Sequence, residues 1–598
     1  MIRAGVFIGV GKSGNLQRLQ DAAAGARRMH AWALRQGMQD QVHAKLITDA
    51  QDRKVTPDEI YDAIKEILDG PGADQLIVYF AGHGVNILRK EIWLLTEAPD
   101  RTSAAVDVTS SVELARYCGV QHVVIISDAC RVAPEGIKAL SVKGQDIFPN
   151  DGGGERAKPV DQFYACLLGR AAAEIKDPVT AAKSYSALYT DALLVGLDGM
   201  QSDLLEASGV TGDSARYVKA RPLKKYLERE LPARIRARKL HTRFNQEPDA
   251  IITSDEEWLS RVQIIGAPPV TRELPDIPLP DWAGYPPDGV PSARVPTQRD
   301  AIRELTHAAA EGTRSELRDT MERLTGRAPA VGADFAHTVA TVARPFDPDR
   351  LDFHCGIKVR GARITDIFAP RASAVVLNNE VVRVDELPDG AASILVQLDG
   401  GFGTVVPAIA DFVAGLTFVE GELVDVAYEP SANSWRWSLF VGKADELRAL
   451  RAVAASSSRH GRFELEGEEV DSVARRMQLA KGVDPTLAVY AAYAYYDLQH
   501  VERIRDMSDY LYYDVGARLF DLELLGRRLI GTSIGAADPV VPFLPLLTQG
   551  WALLQAHRVT LHPALRGIER TMRDSVWSLY GPDGLGRIRD AMASGEVR

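Results

Sequence analysis

The sequence predicts an α/β protein in which a largely parallel sheet flanked by helices is followed by a small antiparallel β domain and a C-terminal helical bundle. Three observations carry this reading. Over residues 1–265 short apolar runs alternate with segments of helical period, as successive βα units require. Residues 335–443 alternate apolar and polar positions between Gly, Asn and Asp turns, and residues 444–598 return to a helical period. With 598 residues the chain has material for about three or four compact units.

Each element has its own signal. Ala4–Val10 reads as a buried first strand, and Asn15 onward as an amphipathic helix with Leu16, Leu19, Ala23, Ala26 and Met29 on one face. Further strands are expected at His43–Thr48, Gln75–Phe80, Ile92–Leu95, His122–Ser127 and Gln162–Leu168. Thr56-Pro57-Asp58-Glu59 has the form of a capping box with proline at the first helical position, ahead of Ile60, Ile64, Ile67 and Leu68. Ser110-Ser111-Val112-Glu113 repeats the box before Leu114 and Tyr117. QLIVYF and HVVIIS are apolar throughout, as strands covered on both faces must be, so both are expected at the centre of the sheet.

Residues 266–300 read as a proline-rich linker, because 266–296 hold nine of the 32 prolines. A charged connecting helix follows over 301–334. In the β domain, SAVVLNNEVVRVDE, SILVQLDGGFGTVV and LVDVAYEPSANSWRWSLFV supply strands of a barrel or sandwich. Gly482-Val483-Asp484-Pro485 and Gly531 punctuate the helical region, which is expected to have a regulatory or sensor role. The Tyr-rich segments YAAYAYYDL and DYLYYDV are expected to pack between helices.

Composition narrows the function. Hydrophobic residues make up 46% and charged residues 25%, an ordinary globular balance. Lys and Arg total 70 against 81 for Asp and Glu, a net charge of -11, which disfavours a nucleic-acid partner. Cys118, Cys130, Cys166 and Cys355 form no C-x-x-C pair and no H-E-x-x-H motif occurs, so no metal or other cofactor is expected. No apolar run reaches the ~18 residues of a spanning helix. The expectation is a cytoplasmic protein with reduced thiols and no membrane partner. Gly11-Lys12-Ser13 fails as a phosphate loop, since the leading glycine position is Val6 and Gly5 is off by one.

Chemistry concentrates where two strands end. QLIVYF runs into Ala81-Gly82-His83-Gly84, and HVVIIS into Asp128-Ala129-Cys130-Arg131. If these strands are parallel neighbours about 4.8 Å apart, His83 and Cys130 emerge at the same carboxyl edge, where open α/β sheets place ligands. A thiol is mostly protonated near neutral pH, so a nucleophilic cysteine needs a nearby imidazole, and His83 fits that role. The amides of Gly84 and Cys130 are candidates to stabilise the developing oxyanion. His354 and Cys355, neighbours on an expected strand, point to opposite faces and make a poor second dyad.

YFAGHG followed by SDAC resembles the catalytic core of the caspase-like cysteine peptidases, including metacaspases and bacterial relatives. FYACLLGRAAAE and YSALYTDALLVGLDG resemble the family's next strand and helix, so the resemblance covers residues 1–265. It implies a caspase-like fold and cysteine endopeptidase activity, with His83 and Cys130 as the catalytic pair. The chain departs from the signature Q-A-C-[RQG]-G at Asp128 and Val132. Metacaspase-like relatives carry an Asp two residues before the nucleophile as the acidic floor of the first specificity pocket. Asp128 is therefore the implied substrate-binding residue, and a protein or peptide with Arg or Lys at the cleavage site the implied substrate. The resemblance further implies a regulated effector of stress or antiviral defence, with a small-molecule or protein activator at the C-terminal half. It also implies self-cleavage after Arg156 or Lys143, with Lys158 disfavoured by Pro159. The alternative is a scaffold or ligand-sensing protein whose protease activity is gated by a small signalling molecule or lost.

Overall fold

The computed structural model describes every residue except 17, 20, 88–89, 130–141, 150–156, 166–177, 208–214, 238–247, 256, 263–297, 313, 326–332, 347–353, 388, 461–467, 536–539 and 598. The chain divides into two compact units, Met1–Arg294 and Val295–Arg598.

The first unit is built on β1 (Arg3–Gly9), α1 (Ala22–Arg35), β2 (Ala44–Thr48), α2 (Pro57–Asp69), β3 (Gln75–Ile87), β4 (Lys90–Leu94), β5 (Ala105–Asp107), α3 (Val108–Ala115), β6 (His122–Ala129), β7 (Val160–Tyr164), α4 (Pro178–Leu197), β8 (Leu205–Ala207), β9 (Arg216–Lys219), α5 (Ala220–Ala237), β10 (Asp249–Ile251) and β11 (Trp258–Val262). The main sheet has the order β10-β7-β6-β3-β1-β2, parallel except for β10, and β4 and β5 extend it from β3. β8, β9 and β11 form a small antiparallel sheet. As expected, β3 and β6 are central.

Both faces of the main sheet are covered, which is why its central strands carry the apolar runs LIVYF and VVII. Val6, Ile8, Val78, Phe80, Val123 and Ile125 share one core with residues of α2 and α3. Phe7, Ile77, Tyr79, Val124 and Ile126 share another with α1, α4 and α5. The hydroxyl of Thr56 accepts from the Glu59 amide at 3.3 Å, as the capping box requires, while the Glu59 carboxylate pairs with Arg53.

Three expectations need correction here. The first helix starts at Ala22 rather than Asn15, and Leu16 is 39% exposed. Residues before it form a loop because their amides are already taken: Lys12 donates to Asp49 (2.7 Å), Gly14 to the Thr96 carbonyl (2.9 Å) and Leu19 to the Gly11 carbonyl (2.8 Å). The α3 cap is Asp107, whose carboxylate accepts from the Ser110 amide at 2.9 Å, so Ser110 lies inside the helix it was expected to open. β3 does not stop at Phe80 but continues through Ala81-Gly82-His83-Gly84, because its backbone finds a second partner in β4.

The second unit begins with α6 (Gln298–Glu311), α7 (Arg314–Thr325) and α8 (Ala333–Ala343), where the sequence suggested one connecting helix up to 334. Strands β12 (Cys355–Arg360), β13 (Ile364–Phe368), β14 (Ser373–Asn378), β15 (Val381–Glu386), β16 (Ala391–Leu398), β17 (Phe402–Ile409), β18 (Phe412–Val419) and β19 (Glu422–Pro430) make two sheets, ordered β14-β15-β12-β18-β19 and β13-β16-β17. All of their pairings are antiparallel except that of β12 with β18. WRWSLFV, expected as strand, turns into the short helix α9 (Trp437–Val441), because Ser434 and Trp437 close successive turns onto Ser431 and Ser434.

The C-terminal region is helical, with α10 (Ala444–His460), α11 (Glu468–Ala480), α12 (Pro485–Asp497) capped by Asp484, and α13 (Val501–Val515) ended by Gly516 at φ 76°. One hydrophobic cluster runs through these helices and both sheets. The two Tyr-rich segments part company. Tyr490, Tyr493, Tyr495 and Tyr496 are buried on α12, which is apolar on all sides, whereas Tyr510, Tyr512 and Tyr513 of α13 are exposed. Only the stripe Ile504, Met507 and Leu511 of α13 faces the core, and its tyrosines lie off that stripe.

Candidate active site

The candidate site lies where β3 changes partners. β3 pairs in parallel with β6 from Gln75 opposite His122 to Gly82 opposite Ala129. The next residue, His83, opens the antiparallel ladder with β4, opposite Leu94. His83 is half-buried, and Gly84, opposite Trp93, is buried. Gly82 is required by space rather than by φ: a Cβ there would lie 2.6 Å from the Phe80 ring and 3.0 Å from the Val10 carbonyl oxygen at the end of β1. Cys130 and its amide lie outside the described residues.

Asp128 is 2% exposed and sits on the α1 and α4 side of the sheet. Its Oδ2 accepts the hydroxyls of Thr190, on α4, and Tyr79, at 3.4 Å, and these two hydroxyls are themselves 2.6 Å apart. Oδ1 has no partner. Gly25 of α1 leaves room for the cluster, since a Cβ there would lie 2.9 Å from the Tyr79 hydroxyl. Burial pushes the Asp128 carboxyl up to about 8, outweighing the two hydroxyl donors, with Asp191 and Asp21 adding repulsion. Burial thus favours the protonated carboxyl over the carboxylate.

On the opposite face, the Ser127 hydroxyl donates to buried Glu91 (2.7 Å) and accepts from the Trp93 indole (2.9 Å), tying β6 to β4. Phe80 stacks on Trp93 with ring centroids 4.5 Å apart. Sequence reasoning missed Tyr79, Thr190 and Glu91 as supports. A Thr within the apolar run ALYTDALL was the one legible signal.

A His–carboxylate pair elsewhere in this unit, His122 with Asp161 (2.9 Å), is fully buried. It sits at the amino end of the sheet, six residues or about 20 Å along β6 from Asp128. Gln75 contacts the other ring nitrogen of His122, and Ser254 and Thr253 donate to Asp161, so these polar groups are matched within the core. His354 is exposed beside Asp411, and burial pushes the Cys355 thiol up to about 12, which leaves it an inert core residue. Lys143 is exposed, yet its amide donates to Thr102 (2.7 Å) and the next amide but one, Gln145, to Ala105 (2.8 Å). Arg156 lies outside the described residues.

A cleft of about 490 Å³ opens beside the ends of β1 and β2, between Lys12, Asn15, Asp49, Arg53, Thr96 and Asp100. Among the described residues no group of three or more His, Cys, Asp or Glu could hold a metal ion, and no helix is long and apolar enough to cross a membrane. No family model and no curated protein matches the chain. Among solved structures, protein GSU0716 from Geobacter sulfurreducens is similar at 13% identity with a TM-score of 0.26, over 42% of this chain and 92% of that one. That score is too low to bear on fold or function.

Proposed function

We propose that this protein is a cysteine endopeptidase of caspase-like type that cleaves after Arg or Lys, with His83 and Cys130 as its dyad and Asp128 as the acidic partner of the substrate's cation. The observation that carries the reading is the register: β3 and β6 are parallel neighbours with Gly82 opposite Ala129, and His83 and Cys130 are the residues that follow these two in the sequence. In the reaction the Cys130 thiolate adds to the scissile carbonyl carbon, His83 gives its proton to the leaving amine, and water, deprotonated by His83, releases the acid from the thioester. Oδ1 of Asp128, which has no donor among the described residues, supports the specificity half of the reading, because a buried carboxyl oxygen without a donor is costly until a ligand supplies one.

A fluorogenic peptide panel tests this directly. Turnover of Arg and Lys peptides by the full chain, lost in Cys130→Ala and His83→Ala, is the expected result. Equal turnover by either variant, or cleavage after Asp in preference to Arg, overturns it.

A further inference from the structure

Two hydroxyls from different elements converge on the buried carboxyl of Asp128, and both go to the same oxygen. Thr190 of α4 donates to Oδ2, and the hydroxyl of Tyr79 on β3 lies 3.4 Å from Oδ2 and 2.6 Å from Thr190 Oγ1. Asp128, Tyr79 and Thr190 are all buried, so water does not compete for these contacts. A threonine hydroxyl has one proton, and with that proton on Oδ2 the short contact between the two hydroxyls makes Tyr79 the donor to Thr190. Tyr79 thus fixes the Thr190 hydroxyl, and Thr190 fixes the carboxyl. Helix α1 closes the cluster from behind: a Cβ on Gly25 would lie 2.9 Å from the Tyr79 hydroxyl and 3.6 Å from Thr190 Oγ1, which leaves the hydroxyls little room to swing off Oδ2. Among the described residues Oδ1 receives no donor.

This uneven loading bears on which cation the site takes. A guanidinium binds a carboxylate best as a fork, one N–H to each oxygen, whereas an ammonium is a point donor that a single oxygen serves well. With Oδ2 already engaged by hydroxyls, only Oδ1 is left to a substrate. Resting on the proposed role of Asp128 as the partner of the substrate's cation, we infer that Thr190 is a specificity-determining residue: by holding Oδ2 it makes Asp128 a one-oxygen acceptor and selects Lys over Arg at the cleavage site. Tyr79 is a positioning residue that acts through Thr190.

Otherwise identical Lys and Arg peptides, compared by kcat/KM with the full chain, test the inference. The wild type should favour Lys. Thr190→Val keeps the shape and removes the donor, and should move the ratio toward Arg by roughly five-fold, about the worth of one hydrogen bond. Thr190→Ser, which keeps the donor, should retain the wild-type ratio, and Thr190→Val combined with Tyr79→Phe should move it further than Thr190→Val alone. A merely structural Thr190 would lower both activities together and leave the ratio alone. Should Thr190→Val not fold, Tyr79→Phe decides, since loosening the Thr190 hydroxyl should shift the ratio the same way by a smaller factor. A wild type that prefers Arg, or a ratio unmoved by these variants, overturns the inference while leaving the proposed function intact. Cleavage of neither peptide overturns the proposed function itself.

Discussion

Asp128 is the residue whose surroundings say most. Its carboxyl, at about 8 in the fold and about 3.9 when unfolded, favours the protonated native state, so its contribution to stability is fully present below about pH 4 and is lost as pH rises to 8. Asp128→Asn should therefore narrow the loss of stability between neutral pH and pH 9 relative to wild type, as thermal melts at the two pH values would read. A cationic substrate side chain favours the ionised form. KM for an Arg peptide should fall as pH rises through 8, and in Asp128→Asn that dependence should vanish while kcat/KM drops by about 2–5 kcal/mol. A wild-type KM that is flat across this range would remove Asp128 from the substrate. If the proposed dyad is the catalyst, His83→Ala and Cys130→Ala each cost at least about 10³-fold in turnover with little change in melting temperature.

At the scale of elements, β3 is the part that carries the site, because one strand serves two ladders and His83 is the residue where they meet. Gly82→Ala should be destabilising by about 1–3 kcal/mol, the ordinary cost of overpacking, and should lower kcat more than it raises KM by displacing His83. Chemical denaturation and steady-state kinetics on the one variant check both halves. The strand cores and the α2 cap were legible because they depend on local pattern: apolar runs for β3 and β6, and Thr56 three residues ahead of Glu59. The continuation of β3 past Phe80 was not, since a Gly-His-Gly segment becomes strand only when a second strand is there to bond with it. Autoproteolysis also belongs to this scale. Lys143 is held by backbone hydrogen bonds on both sides of its peptide bond, and a protease needs that bond drawn out, so processing should fall after Arg156 in preference to Lys143. Intact-mass measurement of active protein against Cys130→Ala reads the fragment ends.

For the whole molecule, two compact units with separate cores predict two calorimetric transitions rather than one. Cys130→Ala should leave both where they are. A core truncation such as Tyr490→Ala should lower only the transition of residues 295–598, by the 3–5 kcal/mol or so typical of a buried aromatic. A single transition moved as one by that variant would mean the units unfold together.

By itself the sequence determined the α/β order of the first 265 residues, the centrality of QLIVYF and HVVIIS, and the pairing of His83 with Cys130 as the residues on which to look for chemistry. The first two follow from local composition, since burial on both faces demands unbroken apolar runs, and the third from the motifs Gly82-His83-Gly84 and Asp128-Ala129-Cys130 that follow those runs. Only the tertiary structure decided that Gly82 stands opposite Ala129, that Asp128 lies under the hydroxyls of Tyr79 and Thr190 with one oxygen unserved among the described residues, and that β14 is the outer strand of its sheet. Residues 49 and 62 positions apart from Asp128 meet there through the packing of β3 and α4. Register, the protonation of a buried carboxyl and the exposure of an edge are set by which elements pack together, and a chain read residue by residue does not contain that choice.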